Sequence, residues 1–227
     1  MKTLFIPVHY KEAIVLSDKH IAKLPQRIGL VATTQFTHQL PAISEQLKKA
    51  GKEAYLEKGF QPVAGQILGC DVSVAKKISG KVDAFLYIGD GQFHPIGLGL
   101  MGAAVFCYDP YVKKFYELDK KHIEQYEKRR KGAVLKFMHA ESIGILVSLK
   151  HGQANMRKAF TLREKLKHQG KKSYIFLFDT LNFNELENFP FVDCFVNTAC
   201  PRIMDDYDKF QKPVVNYLDI ISIGFKT

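Results

Sequence analysis

The chain is poor in cysteine and has no long apolar run, and both absences exclude classes of protein. Four cysteines in 227 residues are too few for a disulfide scaffold, so metal binding or catalysis is the more natural role of a loop cysteine. No uncharged apolar stretch reaches the about 18 residues that a membrane span needs. The opening stretch, residues 1–8, is too short for the apolar core of a secretory signal. We therefore expect a cytoplasmic protein with no membrane partner.

Motifs that identify several large enzyme classes are also absent. The sequence has no Walker loop, no paired CxxC zinc motif and no GxSxG elbow, which argues against P-loop NTPases and serine hydrolases. It has no aromatic–basic RNA-binding signature such as RNP1, so direct contact with nucleic acid is not expected. The formal net charge is nevertheless +10. This charge indicates either an ordinary solvated helical exterior or a surface for an acidic protein, RNA or an anionic small molecule.

One strand–helix–strand pattern occurs twice along the chain. Residues 28–31 and 143–147 both read as strands, and each is followed by an amphipathic helical pattern. Each helical pattern ends in lysines and a glycine, Gly51 or Gly170, which is typical of a helix C-terminus. The apolar positions at helical spacing are Leu40, Ile43 and Leu47 in the first copy and Met156, Ala159, Phe160 and Leu166 in the second.

The later strands repeat as well. Residues 82–87 parallel residues 192–197, and each half closes with a buried strand, residues 103–108 and 213–217. Strands that alternate with helices form right-handed βαβ units, and short strands that are apolar throughout are typical of parallel sheets. We therefore predict an α/β protein of two similar Rossmann-like or flavodoxin-like domains, each a short mostly parallel sheet with flanking helices.

The division between these domains is placed near a predicted long helix, from about Glu117 to Ala140, which links them. The predicted domains are residues 1–125, which contain Cys70, and residues 126–227, which contain Cys200.

These two cysteines are predicted to lie in turns. Cys200 follows a predicted strand and precedes Pro201, and Cys70 lies in the glycine-bracketed segment Gly65–Asp71. Because ligands of α/β proteins bind beyond the carboxyl ends of strands, cysteines in such turns suggest a soft-metal or redox site.

Polar turns follow four of the predicted strands, at Thr33–Gln35, Gly89–Pro95, Ser148–Gln153 and Thr198–Pro201. The carboxyl ends of parallel strands meet at one edge of a sheet, so these turns are candidate ligand sites.

Each candidate in these turns has a functional and a structural interpretation. Gly89-Asp90-Gly91 could bring backbone N–H groups close to an anion or a ribose, or form an ordinary turn. His94 could be a base or a ligand, or a loop histidine that makes structural hydrogen bonds before a proline. Gln153, after Gly152, could bind a substrate through its amide or only open the next helix.

The remaining cysteines and one arginine have simpler interpretations. Cys107 and Cys194 fall inside apolar strands and are predicted to be core residues, because buried free cysteine behaves as a small hydrophobe. Arg202 could pair with a carboxylate ligand, or Asp205 and Asp206 could neutralise it.

Three motifs, in this order, carry a family resemblance: Gly65–Asp71 (GQILGCD), Tyr87–Pro95 (YIGDGQFHP) and Val196–Arg202 (VNTACPR). The chain resembles the archaeal diphthamide synthase family, the 2-(3-amino-3-carboxypropyl)histidine synthases, from about Leu4 to Tyr217. Shorter matches at Thr34–Phe36, Tyr108–Pro110 and His151–Gln153 support the resemblance.

The resemblance implies an unusual radical S-adenosylmethionine enzyme. In the family, three cysteines from three similar domains hold a 4Fe–4S cluster, and its open iron binds S-adenosylmethionine. A 3-amino-3-carboxypropyl radical then attacks C2 of a histidine of elongation factor 2, the first step of diphthamide formation. On this chain the resemblance assigns the cluster ligands to Cys70 and Cys200. It assigns the S-adenosylmethionine pocket to Gln35, Gly89, Asp90, Gly91, His94, Gly152 and Gln153.

The sequence departs from the family pattern because it matches only the second and third domains. The first domain and its cysteine have no counterpart, so we expect a separate subunit that supplies them, a homodimer with rearranged ligands, or a degenerate form or fragment. The alternative to an enzyme is a non-catalytic scaffold that binds the translation factor or a partner subunit. Without the resemblance, the pattern would also suit a periplasmic-binding-like receptor for a small anion.

Overall fold

The structure, a computed structural model, describes Leu4, Ile6 and residues 8–225. Most of the opening stretch considered above for a secretory signal lies outside the described residues. The chain divides into two compact units, Met1–Ile123 and Glu124–Thr227, and each is built on one sheet with flanking helices. The predicted fold class is confirmed. No described helix combines the length and the apolar character that crossing a membrane requires.

The first unit is a five-stranded sheet with short helices. Its elements are α1 (Asp18–Ala22), β1 (Arg27–Ala32), a 3₁₀ helix (Thr34–Gln39), α2 (Leu40–Lys49), β2 (Glu53–Tyr55), α3 (Ser73–Ile78), β3 (Ala84–Ile88), α4 (Phe93–Gly99), β4 (Ala104–Asp109) and β5 (Lys114–Glu117). The strand order is β2-β1-β3-β4-β5, and only β5 is antiparallel. The sequence did not predict β5, because this half-exposed edge strand mixes charged and aromatic residues and has no apolar run.

The second unit is built on a four-stranded parallel sheet. Helix α5 (Lys120–His139) crosses the division between the units. The elements that follow are β6 (Ser142–Ser148), α6 (Met156–His168), β7 (Lys172–Phe178), a 3₁₀ helix (Asn184–Asn188), β8 (Cys194–Asn197), a 3₁₀ helix (Pro201–Lys209), β9 (Val214–Asn216) and α7 (Tyr217–Ser222). The strand order is β7-β6-β8-β9. Helix α5 is the predicted long helix. It begins at Lys120 rather than near Glu117, because Glu117 still pairs with β4 and the Asp119 carboxylate caps the helix by accepting from the Lys121 N–H (2.8 Å).

The sequence repeat has a physical basis in a glycine that lies beneath a phenylalanine. Gly29 on β1 is the register partner of Phe85 on β3, and Gly144 on β6 is the partner of Phe195 on β8. A Cβ at either glycine would overlap the neighbouring ring. The isoleucine–glycine pair that opens each predicted strand is therefore a packing requirement of the sheet.

The repeated Val-Asp pair also has the same role in both units. The Asp83 carboxylate accepts a hydrogen bond from the backbone N–H of Arg27 (2.9 Å), and the Asp193 carboxylate accepts one from the backbone N–H of Ser142 (2.9 Å). Each aspartate thus caps the first residue of an interior strand, β1 or β6. The two units therefore share both the glycine–phenylalanine packing of their sheets and the aspartate cap at the start of one strand.

The helix faces predicted from spacing are mostly correct. Leu40, Ile43 and Leu47 are buried on α2, and Gly51 and Gly170 both adopt the left-handed conformation that ends a helix. On α6 the buried residues are Ala159, Leu162 and Leu166. The inclusion of Phe160 was wrong, because it follows Ala159 by one residue, about 100° around the helix, and its ring is 45% exposed.

Candidate functional site

The segment that carries Cys70 is attached to the carboxyl end of β1. The Ala32 N–H donates to the Gly65 carbonyl oxygen (2.9 Å), and the Ile67 N–H donates to the Ala32 carbonyl oxygen (3.0 Å). Between them, Gln66 is buried and its Nε2 donates to Thr34 Oγ1 (2.8 Å). These bonds hold the segment beside the turn that follows β1.

Cys70 lies at the exposed tip of a tight turn. Leu68 and Asp71 exchange backbone hydrogen bonds of 3.0 and 3.2 Å, which leaves Gly69 and Cys70 at the tip. A Cβ at Gly69 would overlap the Phe93 ring, so the turn packs against the first residue of α4. The structure therefore brings Cys70 next to the turn that follows β3.

That second turn is shaped by Tyr87. Its ring covers Gly89, where a Cβ would overlap the phenol, and its hydroxyl donates to the Asp90 carbonyl oxygen (3.2 Å). The same hydroxyl lies 3.4 Å from His94 Nδ1. Burial raises the pKa of Tyr87, so the phenol stays protonated and able to donate. Gly91 is exposed and has a φ of +62°, which a turn at this position requires.

The prediction of His94 as a loop residue was wrong. His94 is the second residue of α4 and is half-buried. The proline that follows it, Pro95, is compatible with the first turn of a helix because the N–H groups there have no intrahelical partner. Gln35 lies after β1 in a 3₁₀ helix and is also half-buried. Its backbone carbonyl accepts from the Tyr10 N–H (2.9 Å).

A glycine pattern of the dinucleotide-binding type lies next to this turn but has another role. Residues Gly97–Gly102 have the spacing GxGxxG. They form the end of α4 and the turn after it, whereas a phosphate-binding fingerprint follows a strand and opens a helix. A Cβ at Gly99 would overlap Ile123 and lie 3.1 Å from Leu118, so this glycine permits close packing.

In the second unit, two buried asparagines hold the Cys200 turn. Asn197 Nδ2 donates to the Cys200 carbonyl oxygen (2.8 Å) and to Asn216 Oδ1 (2.8 Å). Asn197 Oδ1 accepts from the Ala199 N–H (3.0 Å), and Asn216 Nδ2 donates to the Pro201 carbonyl oxygen (3.0 Å). The backbone on both sides of Cys200 is thus fixed while the residue itself is half-buried.

The turn after β6 is tied to the same segment. Asn155 Nδ2 donates to the Thr198 carbonyl oxygen (2.9 Å) and to the Gln153 carbonyl oxygen (3.2 Å). Gly152 is exposed with a φ of +78°, and Gln153 is half-buried. The structure therefore brings the Gly152–Gln153 turn beside the segment that leads to Cys200.

Arg202 has a carboxylate partner within its own turn. Its Nε and Nη2 lie 2.8 and 2.5 Å from Asp205 Oδ2, and the arginine side chain is 5% exposed. Burial raises the pKa of Asp205, and the positive charge of Arg202 opposes that rise. Of the two interpretations for Arg202, the structure supports the one in which Asp205 neutralises its charge. Asp206 instead pairs with Lys209 (2.7 Å).

The four cysteines fall into two pairs of different character. Cys107 and Cys194 are buried inside β4 and β8, as predicted, and burial raises the pKa of both thiols to about 12. A thiol that stays protonated at neutral pH is a poor metal ligand. Cys70 and Cys200 lie in turns with accessible surface, which suits the soft, anionic donors of an iron–sulfur cluster.

The donor set for a cluster is nevertheless incomplete. Within the described residues, no group of three histidine, cysteine or acidic side chains could hold a metal ion. Cys70 and Cys200 fit as individual ligands, and the described part of the chain does not assemble a full set around them. Their role as ligands stays a prediction.

Sequence reasoning missed the asparagines that support the Cys200 turn. Asn197 and Asn216 are register partners on β8 and β9, and each ends an otherwise apolar strand. An amide in that place is a recognisable signal, because a buried polar side chain requires hydrogen-bond partners. Tyr87 gave no such signal, since a tyrosine in an apolar strand usually indicates core packing.

The comparisons with known proteins agree with the motifs. Residues 1–222 match the family model described as "Putative diphthamide synthesis protein". The 2-(3-amino-3-carboxypropyl)histidine synthase of Pyrococcus horikoshii is 35% identical over 233 aligned positions, and the match covers 99% of this chain and 66% of that protein. Subunit 1 of the Neurospora crassa synthase is 29% identical, and the match covers 95% of this chain and 49% of the relative.

A solved structure has the same fold. The crystal structure of Dph2 from Pyrococcus horikoshii with a 4Fe–4S cluster matches with a TM-score of 0.78 and 33% sequence identity. The match covers 92% of this chain and 60% of that chain. The chain therefore spans between about half and two thirds of the length of these relatives.

Proposed function

Because the chain belongs to the diphthamide synthesis protein family, we propose that it acts in the first step of diphthamide formation. In this proposal it is all or part of an enzyme that transfers the 3-amino-3-carboxypropyl group of S-adenosylmethionine to a histidine of elongation factor 2. The observation that carries the proposal is the contrast among its cysteines. Cys200 lies in an accessible turn after β8, and Cys70 lies in an accessible turn of the segment attached to the end of β1, whereas Cys107 and Cys194 are buried in the core.

Cys70 and Cys200 are proposed to donate two thiolates to a 4Fe–4S cluster. When bound, such a cluster supplies the electron for reductive cleavage of S-adenosylmethionine. The remaining ligand is proposed to come from outside the described residues, from a separate subunit or from a second copy of the chain. The name "subunit 1" of the Neurospora crassa relative supports a shared assembly.

The polar turns are proposed to bind S-adenosylmethionine. Gly91 and Gly152 adopt positive φ and are exposed, so backbone N–H groups in their turns can approach an anionic group closely. His94, held beside the Tyr87 hydroxyl, and the half-buried Gln35 and Gln153 are also proposed to contact S-adenosylmethionine. The residues that bind are Gln35, Gly89, Asp90, Gly91, His94, Gly152 and Gln153. Because elongation factor 2 is the proposed partner of the basic exterior, the proposed compartment is the cytoplasm.

Anaerobic reconstitution with iron and sulfide tests this proposal. The chain is reconstituted alone and together with a polypeptide that carries the part of the Pyrococcus horikoshii synthase that it does not cover. We expect a 4Fe–4S absorption and electron paramagnetic resonance signal in the combined sample. Cys70→Ala and Cys200→Ala should each reduce the bound iron severalfold. The matched controls Cys107→Ala and Cys194→Ala should retain it. No cluster in either sample, with S-adenosylmethionine left intact, would overturn the proposal.

The absence of a complete ligand set among the described residues favours a second candidate, a non-catalytic scaffold of the same family. Such a scaffold would bind elongation factor 2 or a partner subunit without a cluster. Binding of elongation factor 2 that is unchanged in the Cys70→Ala/Cys200→Ala double variant, combined with no iron uptake in the combined sample, would favour it over the enzyme.

A further inference from the structure

A basic depression lies at the amino-end edge of the second unit's sheet. It is lined by the start of β7 and the last turns of α6, including Arg163, Lys167, Lys172 and Tyr174, and has a volume of about 390 Å³. Cys200 follows the carboxyl end of β8, so the depression lies at the opposite edge of the same parallel sheet. It is therefore separate from the turns assigned to the proposed function.

Exposed aromatic rings flank the cations. Phe160 is 45% exposed, and the guanidinium carbon of Arg163 lies 5.1 Å from its ring centroid. On the other side, Tyr174 and Phe191 are 40% and 50% exposed, with ring centroids 4.9 Å apart. These six residues, Phe160, Arg163, Lys167, Lys172, Tyr174 and Phe191, are here named the basic–aromatic surface.

The depression continues into a second cavity of about 650 Å³ that shares Lys172 and Tyr174 and reaches Phe191. Two acidic residues, Glu141 and Asp193, also line this second part. The Asp193 carboxylate is already hydrogen-bonded within the fold, because it accepts from the backbone N–H groups of Glu141 (3.1 Å) and Ser142 (2.9 Å). The binding of an anion is therefore favoured at the cationic end, and the second part offers mainly the aromatic wall.

The cations of the surface are available to a ligand. Within the described part of the chain, neither Lys167 nor Lys172 forms an ion pair. Arg163 has only a long contact, 3.6 Å, to the exposed Glu164, which is worth little in water. By contrast, Lys171 is committed to the fold, because its Nζ donates to the carbonyl oxygens of Met138 and Ala140.

The edge of the sheet leaves room for an extended ligand. Strand β7 pairs only with β6 and forms one end of the order β7-β6-β8-β9, so none of the described strands covers its outer side. A long chain could therefore follow the surface from Phe160 to Phe191.

We propose that the basic–aromatic surface binds single-stranded nucleic acid. The phosphates of the strand contact Arg163, Lys167 and Lys172, and its unpaired bases stack on the exposed rings. Cationic side chains combined with exposed aromatic rings are the common feature of sites that bind single strands without sequence preference. An acidic protein could pair with the cations, but it has no planar bases to stack on the three exposed rings. The bases of a duplex are already stacked on one another and are not available to these rings. From the sequence alone, no contact with nucleic acid is expected because the chain has no RNP1 motif. RNP1 is only one way of binding RNA, so its absence does not exclude the proposed surface.

Fluorescence anisotropy with a labelled single-stranded RNA of about 12 nucleotides tests the electrostatic part. The triple variant Arg163→Gln/Lys167→Gln/Lys172→Gln should weaken binding at least about tenfold and reduce the slope of log affinity against log salt by about 2. The matched control Lys11→Gln/Lys49→Gln/Lys58→Gln removes the same charge from exposed positions of the first unit. Equal losses in the two triple variants would show attraction by net charge only and would overturn the site.

Aromatic truncation distinguishes a nucleic acid from other polyanions. Phe160→Ala and Phe191→Ala should each weaken RNA binding about fivefold or more, whereas Phe60→Ala, at a ring that is 90% exposed, should not. Phe160 lies on the exposed face of α6, so that variant decides the question even where Phe191→Ala perturbs folding, as monitored by circular dichroism. A polyglutamate peptide that binds as tightly as the RNA, or ring variants without effect, would overturn the proposal. Cluster reconstitution uses none of these residues, so the two proposals fail independently.

Discussion

The side-chain amide of Asn197 donates a hydrogen bond to the side-chain oxygen of Asn216, and both amides then hold the backbone around Cys200. The two residues are register partners at the ends of adjacent parallel strands, and both are buried. A cysteine in a turn can bind a metal with a defined geometry only when the turn is rigid. This pair of amides provides that rigidity without contributing a ligand.

Loss of the Asn197 donors should loosen the Cys200 turn. The variant Asn197→Asp keeps the size of the side chain but replaces the Nδ2 donor with a carboxylate oxygen, so the Cys200 carbonyl and Asn216 Oδ1 lose the hydrogen bonds that they accept. We expect the free energy of unfolding to fall by about 3 kcal/mol and alkylation of Cys200 by iodoacetamide to become severalfold faster. Urea unfolding and mass spectrometry measure the two effects.

Asn188→Asp is the matched control, because Asn188 is exposed in the second unit and the same change there should leave both quantities unaltered. Unfolding of Asn197→Asp at the same urea concentration as the parent chain would contradict the role assigned to the amide network.

Much of the fold could be predicted because the repeat has a local cause in each unit. Gly29 and Gly144 each make space for a ring on the neighbouring strand, and Asp83 and Asp193 each cap an interior strand of the sheet. Such requirements appear in the sequence as the same dipeptides in both halves, Ile-Gly and Val-Asp. Spacing alone then gave the helix faces, except at Phe160.

The rest depends on contacts between residues that are distant in sequence. Nothing near Cys70 in the sequence shows that its turn packs on Phe93, because that contact depends on the ring that begins α4. The hydrogen bond between Asn197 and Asn216 spans 19 residues and exists only once β8 and β9 are neighbours. The sequence predicts a loop at His94, whereas the first turn of α4 accepts the proline that follows it.

The glycines beneath the rings provide a second test. Gly29→Ala would place a Cβ 2.7 Å from two ring atoms of Phe85, and Gly144→Ala would do the same beneath Phe195. We expect each change to lower the free energy of unfolding by about 1–3 kcal/mol, because the packed ring has to shift. Urea or thermal unfolding measures the loss.

Gly132 supplies the control for these substitutions. It lies inside α5, and a Cβ there would meet no atom within 4 Å. Gly132→Ala should therefore stabilise the chain by about 0.5–1 kcal/mol. Equal effects of Ala at Gly29 and at Gly132 would show that helix or strand propensity, rather than the ring, decides the outcome.

The Tyr87 hydroxyl should matter for ligand binding more than for stability. Tyr87→Phe removes the donor to the Asp90 carbonyl and the neighbour of His94, while the ring that covers Gly89 stays. We expect a loss of about 1 kcal/mol in stability and, if this turn binds S-adenosylmethionine as proposed, a severalfold weaker affinity by calorimetry. Tyr111→Phe, at an exposed ring of the same unit, should change neither value. An unchanged affinity in Tyr87→Phe would remove this turn from the proposed pocket.

The two buried thiols should make stability fall at alkaline pH. Burial raises the pKa of Cys107 and of Cys194 from the ordinary value of 9.0 to about 12. Since the unfolded chain loses these protons first, the stability that the thiols contribute is complete below pH 9 and is lost between pH 9 and about 12. Each thiol should add a slope of about 1.4 kcal/mol per pH unit in that window.

Urea unfolding at several pH values should show a shallower decline in Cys107→Ala and in Cys194→Ala, each compared with its own stability at pH 8. Val196→Ala is the control, because it truncates a buried residue of β8 that carries no ionisable group and should leave the decline unchanged. An equally steep decline in all three variants would show that other groups, such as lysines, cause the alkaline loss.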